Sequence, residues 1–438
     1  VNWTGTIPCV SPHLDSVRLR TITPHFSVHR NFFFLCEWND FRCFFFKAVH
    51  FTKDVYVIIL YSKKQNCIIM IIETLELKNY RNYDHLKLSL SPGTNIFFGD
   101  NAQGKTNVLE AIFLACTSKS YRITHDRDLI QFGHEEAHIK METRKRKVPC
   151  RIDMHLKKNK AKGIAIDEVP IRHASELFGI ANVVCFSPED LSLIKDGPAL
   201  RRRFIDLELC QLDKVYLYHL ARYNRTLQQR NRLLKDMMLR PGLEDTLSVW
   251  NDQLCLYGEK VITIREEFIQ ELQEIIGRIH HQLTGGVEKL CISYDRNVSA
   301  ESFASALQHS FEQEKRQHLT LVGPHRDDLC FTIDGKDIRK YGSQGQQRTA
   351  ALALKLSEIE LVRKRIDDQP ILLLDDVLSE LDAKRQNYLL DLLCDTQNII
   401  TCTGLDEFVN HRFHIDELFH VVKGTATRVE NMTEFHRP

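Results

Sequence analysis

The chain has 438 residues, of which 43% are hydrophobic and 27% charged, with a formal net charge of +1. That is ordinary for a soluble globular protein with room for two or three cores, and it excludes a uniformly basic surface: any nucleic-acid-facing patch must be local and balanced by acid elsewhere. The 13 cysteines form no C-x-x-C pair and have no histidine at zinc spacing, which reads as reduced thiols in a cytosolic protein.

Residues 1–69 differ from the rest. They hold nine of the 24 Phe and no Met, and the first Met is Met70. Charges such as Glu37, Asp40 and Arg42 fall irregularly among the aromatics, so no helix or strand period runs across 26–51. No signal-peptide pattern is visible, and the apolar run Val55 to Tyr61 covers about a third of the roughly 20 residues of a membrane span. The expectation is that this segment is translated upstream sequence and that the native chain starts at Met70. The competing reading is an aromatic docking extension.

From Met70 the pattern becomes regular. Ile72, Leu75 and Leu77 mark a strand, and Leu86, Leu88 and Leu90 alternate with Lys87 and Ser89 as a half-buried strand does. After a Pro92-Gly93 turn, Asn95 to Phe98 is a short apolar strand. It leads into Gly99-Asp100-Asn101-Ala102-Gln103-Gly104-Lys105-Thr106, and Val108, Leu109, Ala111, Ile112 and Leu114 then follow at helical spacing. Strand, glycine-rich loop and helix form the context of a Walker A phosphate loop. Gly99 and Gly104 let backbone N–H groups wrap a phosphate chain, Lys105 meets the β- and γ-phosphates, and the Thr106 hydroxyl can ligate Mg²⁺.

Basic clusters come next: Arg144-Lys145-Arg146-Lys147, and Lys157-Lys158 with Lys160 and Lys162. Both fall where hairpin tips are expected, and both are candidates for DNA phosphates, as is Arg201-Arg202-Arg203. A solvated charged face is the alternative for each. Phe186-Ser187-Pro188-Glu189-Asp190 follows the apolar stretch Ala181 to Cys185. A helical tract runs from Arg201 towards Leu234 and a second from Leu256 to Leu283, ended by Gly285-Gly286. Their period is too irregular and too short for a coiled-coil arm, so residues 186–315 read as a compact helical lobe.

Ser343-Gln344-Gly345-Gln346-Gln347 then precedes a helix, a second place where N–H groups and a hydroxyl can meet an anion. Ile371 to Leu374 is an all-apolar strand ending in Asp375-Asp376, as a Walker B strand does. Asp375 is placed to hold Mg²⁺ and Asp376 to act as general base on the attacking water. Leu378-Ser379-Glu380-Leu381-Asp382 follows. Thr401-Cys402-Thr403 ends the next strand.

This order of motifs resembles the ABC/SMC ATPases, with 343–347 as the signature segment, Ser379 and Asp382 in the D-loop and 186–190 as the candidate Q-loop. ABC-type relatives carry a histidine where this chain has Thr401-Cys402-Thr403, so no histidine is assigned that role. The wording is more specific. F-G-D-N-A-Q-G-K-T-N-V-L-E-A-I at 98–112, R-R-R-F-I-D at 201–206, G-P-H-R-D-D at 323–328, G-S-Q-G-Q-Q-R at 342–348 and L-L-L-D-D-V-L-S-E-L-D at 372–382 resemble, in order, segments of the RecF family. The resemblance covers roughly residues 70–435.

It implies an α/β fold: a P-loop ATPase head with a mixed sheet, divided as 70–185 and 316–438 around the helical lobe. It implies ATP and Mg²⁺ as cofactors and ATP-dependent homodimerisation. Ser343, Gln344, Gly345 and Gln346 of one protomer would then meet the nucleotide of the other. It also implies weak DNA-dependent ATP hydrolysis, binding to gapped or junction DNA, and work alongside RecR- and RecO-type repair proteins. Two rival readings share the motifs: the ATPase subunit of a transporter, and a non-catalytic clamp that nucleotide binding alone closes.

Overall fold

The computed structural model describes residues 34–36, 42–52, 55–64, 70–145, 148–237, 242–393, 395–405 and 414–429. The chain divides into two units, 1–65 and 66–438. In the first, strands β1 (Phe34–Cys36), β2 (Arg42–Thr52) and β3 (Val55–Lys64) pair antiparallel in that order. Strand pairing there was not legible in the irregular charges between the aromatics.

The second unit begins with β4 (Met70–Tyr80), β5 (Tyr83–Ser89) and β6 (Thr94–Phe98), followed by helix α1 (Lys105–Thr117). Strands β7 (Glu136–Lys145), β8 (Val148–Lys157), β9 (Lys160–Ile166) and β10 (Val169–Pro170) come next. They join β4 and β5 in an antiparallel sheet of order β10-β9-β8-β7-β4-β5. A register shift between Ile72 and Thr74 in β4 explains why Ile72, Leu75 and Leu77 are all buried although their spacing breaks strict alternation.

Strand β11 (Val183–Phe186) and helices α2 (Leu191–Lys195), α3 (Pro198–Leu212), α4 (Lys214–Asp236) and α5 (Glu244–Thr284) follow. The single helical tract expected from Arg201 is two helices. Asp213 breaks it and caps α4, its carboxylate accepting from the N–H groups of Val215 and Tyr216. Helix α5 spans 41 residues and starts earlier than its apolar period suggested; it ends at Gly285 in the left-handed region at φ 72°.

The remaining elements are β12 (Leu290–Asp295), α6 (Phe303–Gln317), β13 (Asp328–Ile333), β14 (Lys336–Asp337), α7 (Ile338–Tyr341), α8 (Gln344–Ile366), β15 (Ile371–Asp375), α9 (Ala383–Leu392), β16 (Asn398–Cys402), β17 (Glu417–Val422) and β18 (Thr425–Arg428). Strand β12 pairs with β13, so strands on either side of residue 315 share one small sheet.

The sheet that carries the nucleotide motifs has the order β11-β15-β16-β6-β17-β18, with all pairs parallel except β17–β18. Strands β11 and β15 read as apolar runs because both faces are covered. Leu372 and Leu374 face a core shared with α3, α4, α5 and α8, while Ile371 and Leu373 face α1 and the antiparallel sheet. The pleat alone sorts alternate residues of β15 between two cores. No helix among the described residues is long and apolar enough to cross a membrane.

Candidate nucleotide site

Walker A follows the C-terminal end of β6 and Walker B the C-terminal end of β15, with β16 between them. Loops at the carboxyl edge of parallel strands form the crevice in which α/β proteins hold ligands. The phosphate-loop backbone departs from ordinary dihedrals at Gly99 (φ 146°), Ala102 (φ 62°) and Gly104 (φ 114°). A Cβ on Gly104 would lie 2.5 Å from the Asn82 side chain, and one on Gly99 would lie 2.5 Å from the Val421 carbonyl. Only glycine fits either place.

Helix α1 starts with no capping side chain and no acid in its first turn. Its first N–H groups and the positive end of its dipole are therefore available to an anion. Lys105 is buried, and its ammonium donates to the Gly99 and Asp100 carbonyls at 2.6 and 2.8 Å. Burial lowers its pKa, against the nearby Asp376 carboxylate, which raises it most among the charges.

Thr106 and Asp375 meet here: the hydroxyl donates to Asp375 Oδ1 at 2.7 Å. Thr401 donates to the same oxygen at 2.9 Å and Tyr121 to Oδ2 at 3.1 Å. Burial raises the Asp375 pKa, partly opposed by these three donors. A hydroxyl and a carboxylate oxygen at this separation are hard donors of the kind Mg²⁺ takes, so the pair fits that ion. Asp376 lies just past the strand with φ 53°, its N–H donating to Thr401 O at 3.2 Å and Oγ1 at 3.1 Å. The left-handed turn changes the chain direction between the two acids, so Asp375 is buried while Asp376 is half-buried.

Ser343 caps α8: its hydroxyl accepts from Gln346 N at 3.2 Å and its N–H donates to Gln346 Oε1 at 2.8 Å. Ser343, Gln344 and Gly345 are exposed. Gln346 also donates to Glu288 at 2.9 Å. Asp382 caps α9 by accepting from Arg385 N at 3.0 Å, and Ser379 donates to the Asp376 carbonyl at 2.9 Å. In the candidate Q-loop, Ser187 N donates to Asp190 at 2.8 Å, and burial pushes the Asp190 carboxyl up to about 7 although Lys355 on α8 draws it down.

The family described as "RecF/RecN/SMC N terminal domain" matches residues 71–427. A curated relative from Agathobacter rectalis, "DNA replication and repair protein RecF", is 60% identical over 361 residues, covering 82% of this chain and all of the relative. The chain belongs to the RecF family. A RecF from Lachnoclostridium phytofermentans is 56% identical over 359 residues, covering 82% of this chain and all of that one. Among solved structures, the recombination mediator protein RecF with ATP, in the RecFOR pathway, superposes with a TM-score of 0.78 at 34% identity. That match covers 83% of this chain and 98% of the solved one.

Two of the RecF-like segments turn out to be one internal network. Arg201 is buried and forms a two-point pair with Asp328, at 2.6 and 2.9 Å. Arg202 donates to Asp327 O at 2.7 Å, and Arg203 donates to Ser120 O. Arg265, buried on α5, joins them by reaching Asp206 at 2.6 Å and Asp327 at 3.3 Å. Arg201 is thus a structural cation and is withdrawn as a DNA contact. A run of three arginines in sequence carries no sign of acids that lie far along the chain.

Hairpin tips occur where the other clusters were expected, since Lys145 pairs with Val148 and Lys157 with Lys160. Arg146 and Lys147 lie outside the described residues. Arg144 pairs with Glu73, Lys145 donates to Gly179 O at 3.1 Å and Lys158 pairs with Glu135 at 2.8 Å. The two tips close opposite ends of β8, roughly 30 Å apart at the usual strand rise.

Sequence reasoning missed the residues that brace this phosphate loop. Asn82 donates to Gln103 O at 2.8 Å and Tyr83 to Gly104 O at 3.0 Å. From the β17–β18 turn, Lys423 N donates to Gln103 Oε1 at 2.7 Å. Gln103 is therefore held by the protein through its side chain. Thr401 and Tyr121 were missed as well; only their arrival beside Asp375 in the folded chain marks them.

Proposed function

We propose that this chain is an ATP-dependent DNA-binding protein of recombinational repair and replication-gap processing, in which ATP closes a dimer on DNA and hydrolysis opens it. The observation that carries the reading is the meeting of Thr106 and Asp375, 269 residues apart in sequence, at the carboxyl edge of one parallel sheet. The family names attached to its relatives supply the biological setting.

In this reading the N–H groups of residues 100–106 and the Lys105 ammonium bind the phosphate chain. Thr106 and Asp375 would hold Mg²⁺, which neutralises charge on the phosphate oxygens. Asp376 takes a proton from the attacking water. Ser343 to Gly345, exposed at the start of α8, with the half-buried Gln346 behind them, would meet a nucleotide held by a second copy, and Ser379 and Asp382 would line the same two-fold contact. The hairpin tips carry phosphate contacts to gapped or junction DNA, and RecR- and RecO-type proteins are the expected partners. With its tips so far apart, β8 would span a length of duplex rather than grip one phosphate.

The test is the sedimentation mass of the full chain with and without Mg-ATP and gapped DNA, for wild type and Asp376→Asn. Wild type should dimerise on DNA with ATP and revert as ATP is consumed. Asp376→Asn should remain dimeric on DNA with turnover reduced at least about a hundredfold, the usual scale for removing a general base. A chain that binds ATP without dimerising or retaining DNA would overturn the repair reading and leave the transporter-type alternative.

A further inference from the structure

We propose that Glu136, His138 and His155 form a site for one zinc-class divalent cation on the outer face of the antiparallel sheet, away from the nucleotide motifs. Strand register creates it. His138 on β7 lies directly opposite His155 on β8, and Glu136 is two residues back on the same outward face. The imidazoles stack at 4.1 Å between centroids, 24° from parallel. Glu136 reaches both rings: Oε2 lies 2.8 Å from His155 Nε2, and Oε1 lies 3.8 Å from His138 Nε2.

One ligand atom from each residue falls within 4.8 Å of the other two, the only such trio among the described residues. Tetrahedral zinc holds nitrogen and carboxylate ligands at about 2.0–2.2 Å, which puts the donors roughly 3.3–3.5 Å from one another. Binding one ion would take side-chain rotations that draw the three donors from within 4.8 Å to that spacing. Two imidazoles with one carboxylate select zinc, copper or nickel over magnesium or calcium.

The surroundings agree. Beyond His155 the next strand offers Gly163, whose missing side chain leaves that flank open. Lys78 stands opposite His138 on β4 and Lys157 opposite Glu136 on β8, a repulsion that the Glu136 carboxylate has to offset. All three residues are partly exposed, so an ion can enter from solvent and retain water in the fourth position. Bound metal would staple β7 to β8 at the end of the sheet that carries Lys157 and Lys158.

The test is calorimetric titration of the full chain with Zn²⁺ in a weakly competing buffer, for wild type, His138→Gln, His155→Gln and, as a same-face control, Lys140→Gln. Wild type and Lys140→Gln should show one tight site. Each histidine variant should bind more than about tenfold more weakly, since even outer-shell changes cost that much. Co²⁺ absorption of the wild-type site should show nitrogen and oxygen ligands without thiolate charge-transfer bands. Equal titration of the histidine variants, or thiolate bands, would overturn the proposal. In that case the three residues form only a hydrogen-bonded surface cluster, and thiolate bands would assign the metal to cysteines.

Discussion

Thr401 and Asp375 pair across adjacent parallel strands, and the Thr401 hydroxyl donates to Asp375 Oδ1 at 2.9 Å while accepting from the Asp376 N–H at 3.1 Å. One hydroxyl thus holds the carboxylate of Asp375 and the backbone of Asp376, in a position where the sequence gives no histidine.

Thr401→Val retains the shape and removes the hydroxyl. A hydrogen bond to a charged group contributes about 1.5–3 kcal/mol, so Mg²⁺-dependent ATP turnover should fall about 10- to 100-fold. Nucleotide binding without Mg²⁺ should be unchanged. Turnover measured across a Mg²⁺ titration distinguishes the two, with Thr403→Val, at an exposed position, as the neutral control. Wild-type turnover in Thr401→Val would remove Thr401 from the site.

A second prediction concerns the helical lobe. Arg230 on α4 and Glu314 on α6 are both fully buried and pair at 2.6 Å, and Arg230 also reaches Asn251 at 2.8 Å and Thr320 at 2.7 Å. Arg230→Met strands the Glu314 charge, which costs about 3–5 kcal/mol in such pairs. The denaturant midpoint followed by near-UV circular dichroism should fall accordingly. Adding Glu314→Gln should recover part of the loss; no recovery would mean that the damage is in packing.

His325 should give the lobe an acid sensitivity. The Tyr223 hydroxyl bonds Nδ1 at 2.6 Å and Nε2–H donates to Thr320 O at 3.0 Å, which fixes the neutral ring. Burial lowers its pKa to about 4, and Arg326, Arg202 and Arg265 push the same way, against the Thr320 carbonyl. The unfolded chain takes up the proton near the ordinary value of about 6.5. Between those values it binds more protons than the folded state, so stability is lost as pH falls from about 6.5 towards 4 and is flat above. Melting temperatures across that window should lose this slope in His325→Gln, whose amide can offer one acceptor and one donor to the same partners. An unchanged slope would assign the acid sensitivity to other groups.

The phosphate loop was legible because everything it needs is local: an apolar strand, glycines at fixed spacing and a helix. The Asp375-Asp376 pair was legible for the same reason, as acids ending a buried strand. What decides the finer geometry is register, and a five-residue strand such as Asn398–Cys402 carries no mark of which neighbour faces Thr401. The arginines at 201–203 show the opposite failure. Local charge suggested a surface patch, while Asp328, distant in sequence, draws Arg201 into the interior and Arg203 stays exposed.

The alternation of β15 between two cores links folding to chemistry. A strand slipped by one residue would send Ile371 and Leu373 to the face built for Leu372 and Leu374, and would carry Asp375 off the oxygen it shares with Thr106 and Thr401. Misplacing the acid therefore also misfills both hydrophobic faces. A frame-preserving insertion or deletion inside 371–375 should not yield a soluble, inactive enzyme; it should yield no folded protein. Genetic screens for separation-of-function alleles ought then to find substitutions in this strand and never length changes.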